Sequence, residues 1–178
     1  MTRLGVRLML VLAIAATISC DRATKHLAAT TLAGAPTQSF LADTVRIQYA
    51  ENAGGFLSMG SDLPPLLRTG LFTFGTGLAL VGLIVAAVVF RWSGWPLLGV
   101  SLYVAGGASN WIDRLAHGTV IDFINVGIGP LRTGIFNVAD VAIMLGVAIV
   151  VTAEVARSRR QPKVDSPSPI EPSSADAR

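Results

Sequence analysis

Asp113, Asp122 and Asp140 stand close together in GGASNWIDRLAHGTVIDFINVGIGPLRTGIFNVAD, residues 106–140, and a fourth aspartate, Asp21, closes the first apolar run. Two carboxylates held about 3 Å apart do not both ionise at neutral pH, so one keeps a proton and the other acts as a base. The ionised partner can take a proton from water while the protonated one donates to a carbonyl oxygen. That is peptide hydrolysis without a metal or cofactor. The stretch offers three such pairs, and spacing alone does not choose among them.

Other chemistries find less support. A nucleophile at Ser109 would need a base, and the only histidines, His26 and His117, lie at or beyond the edges of the apolar runs. Cys20 has no evident base partner. Two histidines and one cysteine do not make a zinc site, so neither metal nor cofactor is expected.

Local context separates the three acids. Asp113 has Asn110 one helical turn before it and Arg114 directly after it, which suits an ionised acid in a structural or substrate-holding cluster. Asp140 follows Asn137 by three residues, a capping-box pattern with an acid in the first turn of a helix. Asp122 has no comparable local role. It stands in TVIDFINV, in an expected loop, and its apolar neighbours make an ionised acid costly. On these grounds Asp122 is the acid least explained by structure, and its partner stays open.

The elements that must position these acids belong to a membrane protein. Of 178 residues, 52% are hydrophobic and only 14% charged, and mean hydropathy is +0.59. Soluble domains carry nearer a quarter charged residues. The net charge of +3 comes with no basic stripe, so nucleic acid is not an expected partner. Thr69 to Phe90 and Trp92 to Ile112 are charge-free runs of 22 and 21 residues, long enough to cross a bilayer. Leu8–Cys20 and Val141–Ala153 are charge-free for only 13 residues each, and flanking arginines extend them by snorkelling. The N-terminal run imitates a cleaved lipoprotein signal, but DRATKHLAATTL continues it without a helix breaker, which favours an uncleaved first helix.

The fold class expected is therefore an all-α membrane protein with four transmembrane helices, at about 5–28, 69–90, 92–112 and 137–156. A small extracytoplasmic β-subdomain is expected at 29–68, where Val45, Ile47 and Tyr49 alternate with Arg46 and Gln48 and where Gly54 and Gly55 mark a turn. A membrane domain over 1–156 is followed by a disordered cytoplasmic tail at 157–178, rich in Pro and Ser. Arg3, Arg7, Arg91 and the Arg157–Lys163 cluster fall on one side, which the positive-inside rule makes cytoplasmic along with both termini. By count the bias is small, eight basic residues inside against six outside. All four aspartates then gather at the outer face.

The motifs DRATK at 21–25, NAG at 52–54, GGASNWIDR at 106–114, GTVIDF at 118–123 and FNVAD at 136–140 resemble those of signal peptidase II, the bacterial lipoprotein signal peptidase. The resemblance covers about residues 5–156. It implies an aspartic endopeptidase of the bacterial cytoplasmic membrane, with its active site at the outer face and no cofactor. The implied substrate is a diacylglyceryl-prolipoprotein, cut before the lipidated cysteine, and the enzyme is expected to be a monomer among membrane lipids. The implied catalytic pair is Asp122 and Asp140. Asp113 takes a supporting place, with Asp21, Lys25, Asn52, Gly54, Asn110, Arg114, Asn137 and Ala139, of which Asn52 and Arg114 hold the substrate backbone. Asp21 and Lys25, four apart, form a structural pair. Two departures stand out: NAGGFLS moves Phe56 by one place, and Ser109 replaces a usual glycine. A proton-coupled transporter is the alternative, since acids inside a bilayer also mark proton paths. A scaffold with acids that only cap helices is a third.

Overall fold

Residues 3–160 are described by the structure, a computed structural model. α1 (Arg3–Thr31) runs unbroken through the aspartate expected to end its apolar part. Its 29 residues span about 44 Å. The strands β1 (Gln38–Phe40) and β2 (Val45–Asn52) follow. After a turn at Phe56–Ser58, α2 (Pro65–Thr69) begins with proline, where a missing N–H costs nothing. It continues through one π-helical turn at Gly70–Gly75 into α3 (Thr76–Val89). α4 (Gly94–His117) stops at Gly118, whose left-handed φ of 75° and N–H to the Arg114 carbonyl close the helix. The hairpin β3 (Val120–Ile128) and β4 (Leu131–Arg132) leads to α5 (Val138–Arg160).

The packing is apolar outside and polar inside, the reverse of a soluble protein. Leu71, Phe74, Leu78, Val81, Val85 and Val88 are exposed, whereas Asp21, Lys25, Ser109, Asn110, Asp113, Asn137 and Asp140 are buried. Two helices are apolar and long enough to cross a membrane by length and composition, Pro65–Val89 and Val138–Arg159. The run at 92–112, expected to be a plain span, is not one of them. Its Gly, Ser, Tyr and Asn residues dilute its hydropathy because α4 carries the polar interior. Glycine brings α4 against α5. A Cβ on Gly106 would stand 2.3 Å from the Ala139 carbonyl oxygen, and one on Gly146 2.5 Å from that of Gly99. Small residues allow this backbone approach, which supports helix pairs in a bilayer.

The sheet is larger than expected. Its four antiparallel strands lie in the order β1-β2-β3-β4, so half of it comes from residues outside 29–68. Asp122 accordingly lies on a strand, not in a loop: it pairs with Ala50, two residues before Asn52, which lies opposite Val120. TVIDFINV alternates imperfectly, because both faces of β3 are covered and its period-two signal is blurred. Ala28, Leu32 and Phe123 form the core that seats the sheet on α1, with Ile47, Ile121 and Val138 packed around it. The helical part of the C-terminal segment extends through Arg160, past the expected boundary at 157. The rest of the expected tail, 161–178, lies outside the described residues.

The α4–α5 contact makes a direct prediction. Gly146→Val should lower stability by about 1–3 kcal/mol through overpacking, read as a drop in the unfolding midpoint in detergent. Gly82→Ala, on α3 with open space at its Cβ, should not lower it.

Candidate active site

Lys25 stands at the centre of the polar interior. Its ammonium reaches Asp21 Oδ2, Asp113 Oδ2 and Asn110 Oδ1, each at 2.7 Å. An ammonium has three protons, and here each has a buried acceptor. Asp113 takes a second cation, Arg22. The expectation that Arg114 neutralises Asp113 is therefore corrected. Successive helical residues diverge by about 100°, and Arg114 turns instead to the Gly54 carbonyl at 2.6 Å.

Asp21 links this charge cluster to α5. Its Oδ1 accepts the Ala139 N–H at 2.8 Å, and its Oδ2 accepts Lys25 and the Ser109 hydroxyl, the latter at 2.7 Å. One orphan N–H at the start of α5 is thus capped from another helix. The local cap is Asn137. Its Oδ1 accepts the Asp140 N–H at 3.0 Å, while Asp140 Oδ2 accepts the Asn137 N–H at 3.1 Å. This is the reciprocal capping box its sequence pattern suggests.

Asn137 also joins the two candidate acids. Its Nδ2 donates to Asp122 Oδ1 at 2.6 Å, while its backbone N–H donates to Asp140. Asn52 Nδ2 donates to the other Asp122 oxygen at 2.9 Å, and Asn110 Nδ2 to the other Asp140 oxygen at 3.0 Å. Each of the four carboxylate oxygens holds one donor, which leaves lone pairs for water or a shared proton. Burial pushes the Asp122 carboxyl up to about 6, with the Asp140 charge adding and the Asn52 and Asn137 donors opposing. Gly54 completes the turn by giving its N–H to Asn52 Oδ1 at 2.9 Å. A Cβ there would meet the Met59 carbonyl at 2.5 Å, so this position requires glycine.

Asp21, Lys25, Asn52, Gly54, Asn110, Asp113, Arg114, Asn137 and Ala139 thus lie in one connected network with Asp122 and Asp140. Arg22 and Ser109 were not identified from sequence as members of it. Arg22 had a usable signal, being beside Asp21 on α1. Ser109 had none beyond its place beside Asn110. A cavity of about 390 Å³ opens from Asn110, Arg114 and Asp140 between α3, α4 and α5, with Phe72, Leu80, Ile143 and Met144 on its apolar wall. A second, mainly apolar hollow is lined by Trp95, Ala148, Ile149, Thr152, Ala153 and Ala156.

Fold and geometry define a class first: a helical membrane protein whose buried carboxylates, bridged by one asparagine, have the donors and environment for acid–base hydrolysis. Comparison with known proteins narrows this. A family profile described as signal peptidase (SPase) II matches residues 13–156. A lipoprotein signal peptidase of Desulforapulum autotrophicum is 33% identical over 153 residues, covering 84% of this chain and 92% of the relative. One of Trichormus variabilis is 30% identical over 138 residues, covering 78% and 84%. A solved structure described as a bacterial membrane enzyme shares the fold with a TM-score of 0.74 at 24% identity, covering 87% of this chain and 93% of that one. The chain belongs to the signal peptidase II family. It is a membrane protease of the aspartic class.

The raised Asp122 value has a signed consequence. The folded state holds this proton more tightly than the unfolded chain, whose value is near 3.8. Stability from this group is therefore full at low pH and is lost as pH rises towards 6, by on the order of 2–3 kcal/mol. Unfolding midpoints of the wild type measured from pH 4 to 7 should fall relative to those of Asp122→Asn, whose side chain does not titrate.

Proposed function

We propose that Asp122 and Asp140 are the acid–base pair of a lipoprotein signal peptidase that cuts diacylglyceryl-prolipoproteins immediately before the lipidated cysteine. The observation that carries this reading is Asn137, which donates to both carboxylates at once and so holds them as a unit. One carboxylate, ionised, takes a proton from a water lying between the pair. The resulting hydroxide adds to the scissile carbonyl carbon while the other carboxylate donates its proton to the carbonyl oxygen. The tetrahedral intermediate then collapses, the C–N bond breaks, and the amine of the lipidated cysteine leaves with a proton returned from the pair. No charged intermediate is released into the apolar surroundings.

The remaining residues have roles that follow from their contacts. Arg114 holds the Gly54 carbonyl, and Asn52 holds that of Gly55 at 3.0 Å, so both brace the turn that faces the cavity and its substrate. The apolar wall of that cavity suits acyl chains beside the scissile bond. We place all four long helical segments, about 5–28, 69–90, 92–112 and 137–156, across the bacterial cytoplasmic membrane. Both termini lie in the cytoplasm, and the sheet and carboxylates lie at the outer face. The basic residues Arg91 and Arg157–Lys163 support that orientation. The enzyme acts as a monomer in contact with membrane lipids.

Cleavage of a diacylglyceryl-prolipoprotein in detergent tests the assignment. Asp122→Asn and Asp140→Asn should each lower turnover by about 10³-fold or more, with both variants still inserted and folded. Near-normal turnover by either one would refute the pair. Asp113→Asn, which strips a partner from Lys25 and Arg22, should lose stability or substrate affinity, and a stable, substrate-bound but inert protein would shift the assignment to Asp113. EDTA should leave the wild-type rate unchanged.

A further inference from the structure

We infer that Ser109 is a positioning residue for the reaction, acting through Asp21 on the helix start that carries Asp140. This inference rests on the reading of Asp122 and Asp140 as the acid–base pair. Ser109 has no exposed surface, and neither has Asp21. A buried helical serine usually returns its hydroxyl to a carbonyl one turn back. Thr17 on α1, Ser101 on α4 itself and Thr152 on α5 do that, at 2.8, 2.8 and 2.7 Å. The Ser109 hydroxyl instead crosses from α4 to α1 and donates to Asp21 Oδ2 at 2.7 Å.

That bond determines how the Asp21 carboxylate can turn. Lys25 and Ser109 hold Oδ2 from two helices, and Oδ1 is thereby left aimed at the Ala139 N–H. Lys25 alone is a poor guide, because its ammonium also serves Asp113 and Asn110 and sits on the same helix as Asp21. Ala139 directly precedes Asp140 and is itself fully buried. It is also the residue whose carbonyl packs against Gly106, leaving the helix start little room to shift in that direction. Three helices therefore meet in one chain of contacts, from Ser109 on α4 through Asp21 on α1 to Ala139 on α5. Without the hydroxyl, Asp21 can rotate about its side chain, and the first turn of α5 loses a fixed anchor. A displacement well under 1 Å at a reacting group is enough to slow a positioned reaction measurably.

The test uses the full chain in detergent with a diacylglyceryl-prolipoprotein substrate. Ser109→Ala should lower kcat by about three- to tenfold with KM and the unfolding midpoint unchanged. In an Asp21→Asn background, read by overnight single turnover, the same substitution should cost less than about twofold, since the carboxylate it orients is gone. An unchanged kcat in folded Ser109→Ala overturns the inference. So does an equal loss in the two backgrounds, or a loss that appears in KM or in the midpoint alone. If Ser109→Ala does not accumulate in membranes, Ser109→Gly removes the same hydroxyl without placing a methyl group there, and the same outcomes apply. Asp140→Asn run alongside separates the two levels: full turnover by that variant refutes the acid–base pair, whereas its inactivity with a normal Ser109→Ala refutes only the role of Ser109.

Discussion

The structure depends on the neutralisation of buried acids in an apolar body. An ionised carboxylate moved out of water costs several kcal/mol unless it is paired and hydrogen-bonded. The protein meets this with one ammonium, Lys25, whose three protons go to Asp21, Asp113 and Asn110. Asp113 adds Arg22, and Asp21 adds a backbone N–H and a hydroxyl. Because these partners come from α1, α4 and α5, satisfying the acids also docks the helices. The polar network is thus both the interior of the bundle and the support of the site.

Asp122 and Asp140 differ from the other two acids in having no direct cation among the described residues. Their oxygens accept from the amides of Asn52, Asn110 and Asn137 and from one backbone N–H. Neutral donors orient a carboxylate without committing it to the ionised form. A cation in the same position would hold it ionised and remove its use as an acid. The buried aspartates thus divide into charge-paired Asp21 and Asp113 and amide-held Asp122 and Asp140. Burial, with the Asp140 charge adding to it, is what keeps the Asp122 proton on towards higher pH than in an ordinary aspartate, against the opposing pull of the Asn52 and Asn137 donors.

The sheet and the bundle meet at this pair. Asp122 comes from β3 and Asp140 from α5, and Asn52 comes from the end of β2 opposite Val120. A turn braced by Asn52 and Arg114 then closes over the cavity beside Asp140. An extended substrate segment would find the turn at Gly55 and Phe56 on one side and the apolar wall of Phe72, Leu80 and Met144 on the other. That pairing of surfaces suits a peptide that carries a lipid.

Much of this was legible in the sequence. Apolar runs marked the long helices, because a lipid-facing helix needs little beyond hydrophobicity. Asn137 and Asp140 marked a helix start, because a capping box is complete within four residues. Asp21 and Lys25, one helical turn apart, marked a structural pair for the same reason. The strand character of 120–128 was not legible, since strands covered on both faces lose their alternation and only pairing with β2 reveals them. Nor did adjacency reveal that Lys25 and Arg22, and not Arg114, neutralise Asp113. The sequence by itself determined which residues could do chemistry and which segments are helical, because those properties are local. Only the tertiary structure decided which carboxylates are bound by cations and which by amides, because those partners lie on other helices and strands and only packing brings them together.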